Sequence, residues 1–152
     1  MMRNLGKLLL TLCLLTVGGG VVATAQVDTI SQIEANVPFA FAVGDTKLPA
    51  GKYEIKTLDD NSSNVLELRS ADGHTSVVFD TQDALTRGEQ IPSKTELVFN
   101  KVGDQYFLYR IWVAGSAAGN EVPKSRMEKR LAAGGVQSEK HSVVAFMKHL
   151  KP

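Results

Sequence analysis

Apolar residues recur at every second position between Ile33 and Val43. A period of two is typical of a β-strand that has one face in the core. Pro38 interrupts this segment and cannot donate a backbone hydrogen bond, so we expect an edge strand or a bulge at this position. The polar turn pair Gly44-Asp45 is predicted to end the strand.

Residues 47–55 (KLPAGKYEI) are predicted to form a bend that leads into a second strand. Pro49 fixes its own φ angle and favours an extended conformation for Leu48, while Gly51 supports a turn. Polar and apolar residues then alternate over residues 52–57. Because Leu, Pro, Ala and Gly side chains offer little convergent chemistry, we interpret the segment as structural and not as a binding motif.

The same alternation predicts further strands downstream. Asp72-Gly73 and Gly103-Asp104 are turn signals, and each predicts a hairpin. Residues 81–94 lack a regular period and are predicted to be mostly loop. The predicted strands span residues 65–70, 75–80, 95–101, 105–113 and 141–147.

The segment from Tyr106 to Val113 is apolar at nearly every position, so both faces of a strand formed by it would be apolar. Such a segment is typical of a central strand that is covered on both faces. Another element must therefore pack on its second face. Strict alternation places Phe107, Tyr109, Ile111 and Val113 on one face, and Tyr106, Leu108 and Trp112 on the other.

A short helix over residues 125–133 is the candidate for this covering element. Ser125 and Glu128 have the spacing of a capping box at a helix N-terminus, and Gly134-Gly135 is a stop signal. Met127 and Leu131 lie four residues apart and share one face of the helix. Because a helix of about two turns is unstable alone, we expect packing on the sheet to hold it.

Together these elements predict a mainly β fold. Roughly six to eight short strands, separated by turn signals and followed by one late helix, are typical of an antiparallel β-sandwich or a small barrel. The hydrophobic pattern does not distinguish the sandwich from the barrel.

The N-terminus has the three parts of a secretory signal peptide. Arg3 and Lys7 form a basic region, residues 8–22 carry no charge, and Ala23-Thr24-Ala25 is a small-x-small cleavage site. We therefore predict a signal peptide over residues 1–25 and export to the periplasm or the medium. A retained membrane anchor is the alternative.

Cleavage after Ala25 would leave 152 − 25 = 127 residues, a single β-rich domain over residues 26–152. Loss of Arg3 and Lys7 would change the net charge to 15 − 16 = −1, which gives no support to nucleic-acid binding. No transmembrane segment would remain. Cys13, the one cysteine of the chain, would also be lost, which excludes disulfides and cysteine–zinc sites.

Three stretches carry a resemblance to a known group of proteins: VPFAFAVGDTKLPAGKYEI, DQYFLYRIWVAG and GNEVPKSRMEKRLA. In combination they resemble small exported β-rich proteins that are common in acidobacterial genomes. The resemblance covers most of the mature chain. It implies export and a single β-rich domain, and it supplies no catalytic or binding residue.

The residues suited to catalysis or metal binding form no motif. His74, His141 and His149 show no HxH or HxxxH spacing, so we predict no metal ion and no cofactor. Ser116 lies in a glycine-flanked loop that lacks the G-x-S-x-G pattern of a nucleophile elbow. We expect no catalytic activity, with a small hydrolase as a minor alternative.

Two groups of side chains are candidates for a binding surface. The basic group lies in or beside the predicted helix and would contact an acidic envelope polymer; a solvated helix face is the simpler explanation. The aromatic group lies on the central strand and would stack on a sugar ring if one face were open, whereas core packing is the simpler explanation. The candidates are Lys124, Arg126, Lys129 and Arg130 in the basic group and Tyr106, Tyr109 and Trp112 in the aromatic group.

We therefore expect an exported, non-catalytic domain that binds an envelope polymer or protein, or that supports the envelope. A small apolar-ligand carrier of the barrel type is the main alternative. The carrier hypothesis predicts an enclosed cavity lined by Phe39, Phe41, Tyr109 and Trp112.

Overall fold

The computed structural model of the protein describes residues 32–59, 62–86 and 90–148. The predicted signal peptide, with Cys13, lies outside these residues. Within them the chain forms eleven strands and one helix. Their bounds are β1 Ile33–Val37, β2 Phe41–Val43, β3 Thr46–Leu48, β4 Gly51–Asp59, β5 Ser62–Ser70, β6 Ser76–Asp80, β7 Gln82–Leu85, β8 Glu96–Val102, β9 Gln105–Trp112, β10 Ala118–Glu121, α1 Arg126–Ala133 and β11 Ser138–Met147.

The strands form one nearly closed, barrel-like sheet, so the prediction of a mainly β fold is confirmed. Nine of the described strands follow a single hydrogen-bonded path in the order β3-β2-β9-β8-β11-β1-β4-β5-β6, and β10 joins β9 to β7. None of the described residues forms a helix long and apolar enough to cross a membrane.

Three details of the predicted fold were wrong. The prediction of about six to eight strands is too low, because Pro38 separates β1 from β2, and Pro49 separates β3 from β4. Residues 82–85, predicted as loop, form β7. The sheet is also not purely antiparallel, since β2 pairs with β9 in parallel at Phe41 and Ala42.

Two strands pass from one part of the sheet to another and thereby curve it. β11 pairs with β8 up to Val144 and then with β1 from Ala145 onward. β6 pairs with β5, and after Thr81 the chain continues as β7, which pairs with β10. Thr81 is fixed at this corner because its backbone N–H and its hydroxyl donate to the Asn64 carbonyl oxygen at 2.7 and 3.1 Å.

The interior of this sheet is filled by apolar side chains from nearly every strand. Phe41 packs edge-on against Tyr53 and Phe99, with ring centroids 5.2 and 5.4 Å apart. The Tyr53 hydroxyl donates a hydrogen bond to the Pro49 carbonyl oxygen at 2.6 Å, so burial leaves this polar group with a partner. Buried residues of the main core include Ile33, Val37, Phe41, Val43, Leu48, Tyr53, Ile55, Leu66, Leu68, Leu97, Phe99, Leu108 and Ile111.

A β-bulge in β9 changes the predicted facing of its side chains. Val98 pairs with Arg110, but the next residue, Phe99, pairs with Leu108, so Tyr109 is an extra residue in the strand. Strict alternation across this strand was therefore a wrong prediction. Tyr106, Leu108, Ile111 and Val113 contact the main core, while Phe107, Tyr109 and Trp112 belong to clusters on the outer face.

The predicted helix and its role are confirmed. The Ser125 hydroxyl accepts a hydrogen bond from the Glu128 backbone N–H at 3.0 Å, and Gly135 follows the helix with a positive φ of 79°. Met127 and Leu131 pack on the outer face of the sheet, against Ala42, Val102 and Phe107. The helix therefore covers one end of the second apolar face of β9.

Glu67 of β5 forms a cluster of polar contacts with residues of β4, β5 and β6. Its carboxylate accepts a hydrogen bond from the Ser76 hydroxyl at 2.7 Å and pairs with Lys56 at 3.0 Å and Arg69 at 2.9 Å. The hydrogen bond from Ser76, followed by that from Lys56, lowers the pKa of Glu67 to about 2. The ionised carboxylate thus links β4, β5 and β6.

We expect Glu67→Gln to lower the free energy of unfolding by about 1–3 kcal/mol at pH 7. Because the pKa of Glu67 is depressed in the folded state, this contribution is present above pH 4.5 and is lost as the pH falls toward 2. Urea unfolding at several pH values would measure it. Glu139→Gln, at an exposed position, is the control, and an equal, pH-independent effect of both variants would contradict the prediction.

Candidate binding face

The outer face of β8, β9 and β11 carries a polar chain that connects three elements. Lys140 Nζ of β11 donates a hydrogen bond to Asn100 Oδ1 of β8. Asn100 Nδ2 donates in turn to Glu128 Oε1 of α1 at 2.6 Å. Asn100 and Glu128 are only 2 and 4% exposed, so each satisfies a group of the other that would otherwise be costly to bury.

Two cations lie against the ring of Tyr109 beside this chain. Lys140 Nζ is 3.5 Å from the ring centroid, and the guanidinium carbon of Arg110 is 4.6 Å from it. Both distances are within the range of cation–π contacts. Arg110 also pairs with Glu121, from Nη2 to Oε2 at 2.7 Å and from Nε to Oε2 at 2.8 Å.

The pKa of Lys140 reflects both its burial and the charges that surround it. Burial lowers the pKa of Lys140, and the neighbouring charges of Arg110 and Lys124 lower it further. Glu128 and Glu121 act in the opposite direction but contribute less. Burial raises the pKa of Tyr109, so its phenol stays neutral at physiological pH. We refer to Tyr109, Arg110, Lys124 and Lys140 as the basic face.

Trp112 adjoins the basic face but is itself buried. Its side chain packs with Ala84 and Val98 in a small outer cluster and is 5% exposed. Gly119 lies directly opposite on β10, where any larger side chain would collide with the indole ring. Core packing therefore explains Trp112 better than stacking on a ligand.

The other aromatic candidate, Tyr106, lies at a different place. It is half-buried against the main core, and its ring stacks on Phe39 with centroids 3.9 Å apart. His141 approaches both rings edge-on, at 5.2 Å from Phe39 and 5.6 Å from Tyr106. Tyr106 and Tyr109 therefore lie on opposite faces of the sheet, although the two are close together in sequence.

The basic residues of α1 are on its solvent side. Arg126 is 90% exposed at its side chain and lies 3.6 Å from the Asp45 carboxylate. Lys129 and Arg130 are exposed. Among the four basic candidates from the sequence, Lys124 is the one whose charge acts on Lys140.

The sequence analysis did not identify three residues on the outer face of β8, β9 and β11. Arg110 and Asn100 interrupt apolar strands, and a polar residue within an apolar strand was the available signal. Lys140 precedes the predicted last strand, so the sequence alone gave no reason to place it beside Tyr109. Its position follows from the pairing of Lys140 with Asn100 in the β8–β11 register.

The residues named by the alternative functions do not come together. Phe39 and Phe41 contact the main core, whereas Tyr109 and Trp112 lie in the outer cluster. The Ser116 hydroxyl donates to the Ala118 carbonyl oxygen at 2.8 Å, which is a local turn contact.

The histidines likewise lie apart. His74 is exposed beside Asp72 at 3.5 Å, His141 is on the Phe39–Tyr106 stack, and His149 lies outside the described residues. Within residues 32–59, 62–86 and 90–148, no group of three or more His, Cys, Asp or Glu side chains is arranged to hold a metal ion.

We expect Gly119→Ala to destabilise the protein by about 1–3 kcal/mol through overpacking. An added Cβ would lie 2.4 Å from Cε3 of Trp112 and 2.7 Å from the Ile111 carbonyl oxygen. Gly51→Ala is the matched control, because its Cβ would meet Tyr53 Cε2 at an ordinary 3.7 Å. Urea unfolding followed by the fluorescence of Trp112, the single tryptophan, would measure both, and equal stabilities would contradict the packing argument.

We expect the pKa of Lys140 to lie below the ordinary lysine value of 10.5 and the pKa of Lys148 to lie above it. The pKa of Lys140 is lowered chiefly by burial, while hydrogen bonds to Glu34 and Glu54 raise that of Lys148. Carbon-13 NMR of reductively methylated lysines would follow both midpoints, with Lys140→Arg and Lys148→Arg used for assignment. A midpoint for Lys140 at or above that of Lys148 would refute this description of the face.

Comparison with known proteins finds no match to a family model, to a curated protein or to a solved structure. The resemblance to small exported acidobacterial proteins therefore stays a prediction from the sequence. Any inference of function rests on the side chains of this chain alone.

Proposed function

We propose that this protein is an exported, non-catalytic binding domain whose ligand is an anionic polymer of the cell envelope. The observation that carries the proposal is the close approach of cations on the basic face, where Lys140 Nζ and the Arg110 guanidinium carbon lie 3.5 and 4.6 Å from the centroid of the Tyr109 ring. Burial lowers the pKa of Lys140, and the charges of Arg110 and Lys124 lower it further. A bound carboxylate or phosphate group would relieve this repulsion, because it places a negative charge beside Lys124 and Lys140, whereas Arg110 is already paired with Glu121.

The arrangement of the cations favours a polymer over a small anion. Lys124 directly precedes the Ser125 cap of α1, and the exposed cations Arg126, Lys129 and Arg130 follow it in the helix. Each exposed ion pair contributes little in salt solution. A chain with repeated negative groups engages several of these cations at once, and such linked contacts add up to useful affinity.

The polar chain beneath the face supports a binding role for Lys140. Asn100 is a neutral partner, so it orients the Lys140 ammonium without neutralising its charge. Glu128 holds Asn100 from the other side at 2.6 Å. The Glu128 carboxylate is buried and accepts a hydrogen bond from the Asn100 amide, so it fixes the amide that orients Lys140.

The proposed location follows from the N-terminal pattern of residues 1–25, which predicts export. An exported domain meets envelope polymers directly, and many of these carry carboxylate or phosphate groups.

We also infer that the fold is a small barrel and not a two-sheet sandwich, because the chain crosses between parts of the sheet at Thr81 and within β11.

The main alternative, a carrier of small apolar ligands, has weaker support. It requires one enclosed space lined by Phe39, Phe41, Tyr109 and Trp112. These four side chains are divided between the main core and the outer cluster. A carrier would need them on the same side of the sheet.

Binding to polygalacturonate, a polymer of carboxylated sugars, tests the proposal. We expect the double variant Lys124→Gln/Lys140→Gln to bind about tenfold more weakly than the unchanged protein, because two favourable charge contacts are lost. Lys47→Gln/Lys94→Gln removes the same charge at two exposed positions and serves as the control. Titration calorimetry at low and moderate salt would measure the affinities.

Binding that falls equally in the two double variants would show that only net charge matters, and would overturn the assignment of the face. Failure of the unchanged protein to bind polygalacturonate and polyphosphate, a phosphate-bearing polymer, would overturn the proposed function itself. Circular dichroism spectra of all variants would verify that each is folded.

A further inference from the structure

β11 is apolar on both of its faces at its C-terminal end. Val143, Ala145 and Met147 contact the main core. The intervening residues face outward, where Val144 is 47% and Phe146 69% exposed. Phe146 is the most exposed of the large apolar side chains in the described part of the chain. An exposed pair of this kind on a regular strand is typical of an interaction surface.

A groove of about 290 Å³ lies directly beside Phe146. It runs over the outer side of β1 and β4, and Ala71 lies at its edge. Its charged lining residues have both signs: Glu34 and Glu54 are acidic, and Lys52 is basic. The patch therefore combines a projecting aromatic ring, a recess and both kinds of charge within a few strands.

Two carboxylates of the groove, those of Glu34 and Glu54, share one cation. Glu34 and Glu54 are cross-strand neighbours, and like charges at such positions destabilise a sheet. Lys148 Nζ bridges them, at 2.9 Å from Glu34 Oε1 and 3.0 Å from Glu54 Oε1. One ammonium group thus serves two carboxylates, and a second cation arriving from outside would find a favourable position.

We propose that this patch, formed by Glu34, Lys52, Glu54, Val144 and Phe146, is an interface between two copies of the chain. A two-fold axis brings the same patch of both copies together, so a self-complementary patch is what such an interface requires. Phe146 of each copy enters the groove of the other. Lys52 of each copy then meets the Glu34–Glu54 pair of the other copy.

The composition of the patch favours a second copy over a different partner. A surface for the anionic polymer proposed above would carry an excess of positive charge, whereas the patch and the adjoining Lys148 together carry two carboxylates and two ammonium groups. A surface for an unrelated apolar partner would not need both a projecting ring and a recess next to it. The inference does not depend on the proposed function, because Lys140 and Lys124 are not part of the patch.

The size of the patch predicts a weak dimer. Three neighbouring strands spaced about 4.8 Å apart, over the five residues of β1 at about 3.3 Å each, present roughly 240 Å². Stable dimers bury about 800 Å² on each partner. Because the patch is well below that size, we expect a weak dimer with a dissociation constant of roughly 100 µM.

Sedimentation equilibrium of the mature protein between about 1 and 300 µM tests this inference across the expected range. The mean mass should rise from that of one chain toward that of two. Val144→Asp should weaken association at least tenfold, because it places a charge at the centre of an apolar contact. Val78→Asp is the matched control, since Val78 is exposed to a similar extent, 53% against 47%, and lies outside the patch on β6.

Phe146→Ser provides a second test that adds no charge, and it should also weaken association. A protein that stays monomeric over the whole range would overturn the inference, as would equal association of the Val144→Asp and Val78→Asp variants. The polymer-binding assay distinguishes the two proposals, because Val144→Asp should leave affinity for polygalacturonate within about twofold.

Discussion

The bulge at Tyr109 determines which side chains of the central strand reach the core and which reach the outer face. Without the extra residue, Ile111 and Val113 would share a face with Phe107, and Leu108 would share one with Trp112. With it, Leu108, Ile111 and Val113 all contact the main core. Tyr109, Arg110 and Trp112 then lie on the outer face, so the basic face depends on that change of direction.

A buried polar contact organises the outer face that the bulge creates. The Asn100–Glu128 hydrogen bond at 2.6 Å joins the central sheet to the helix, while the apolar contacts of Met127 and Leu131 provide the burial. Apolar packing alone would tolerate small shifts of a two-turn helix, but a buried amide and carboxylate must keep their geometry to stay satisfied. The same amide orients Lys140, so one contact serves both the fold and the proposed binding face.

The two proposed surfaces differ in the physics that they use. The basic face carries an excess of positive charge and little exposed apolar area, which suits a hydrated anionic polymer. The patch around Phe146 carries mixed charge and an exposed aromatic ring, which suits a matching copy of itself. They share strand β11, which carries Lys140 near its start and Phe146 near its end.

The sequence by itself determined the mainly β class, most strand positions and the capped helix, because these depend on local periodicity, turn residues and capping residues. Ser125 was correctly associated with the start of the helix, whereas Pro38, expected to mark an edge strand or a bulge, separates two strands, the first of which pairs on both sides. The sequence also identified Tyr109 and Lys124 as candidate binding residues. It grouped them with Tyr106 and Trp112, whose side chains pack within the protein. Only the tertiary structure decided the bulge, the parallel β2–β9 pair and the approach of Lys140 to Tyr109, since each depends on the register between strands that are distant in the chain. Register is fixed by the packing of whole faces, and no local pattern contains that information.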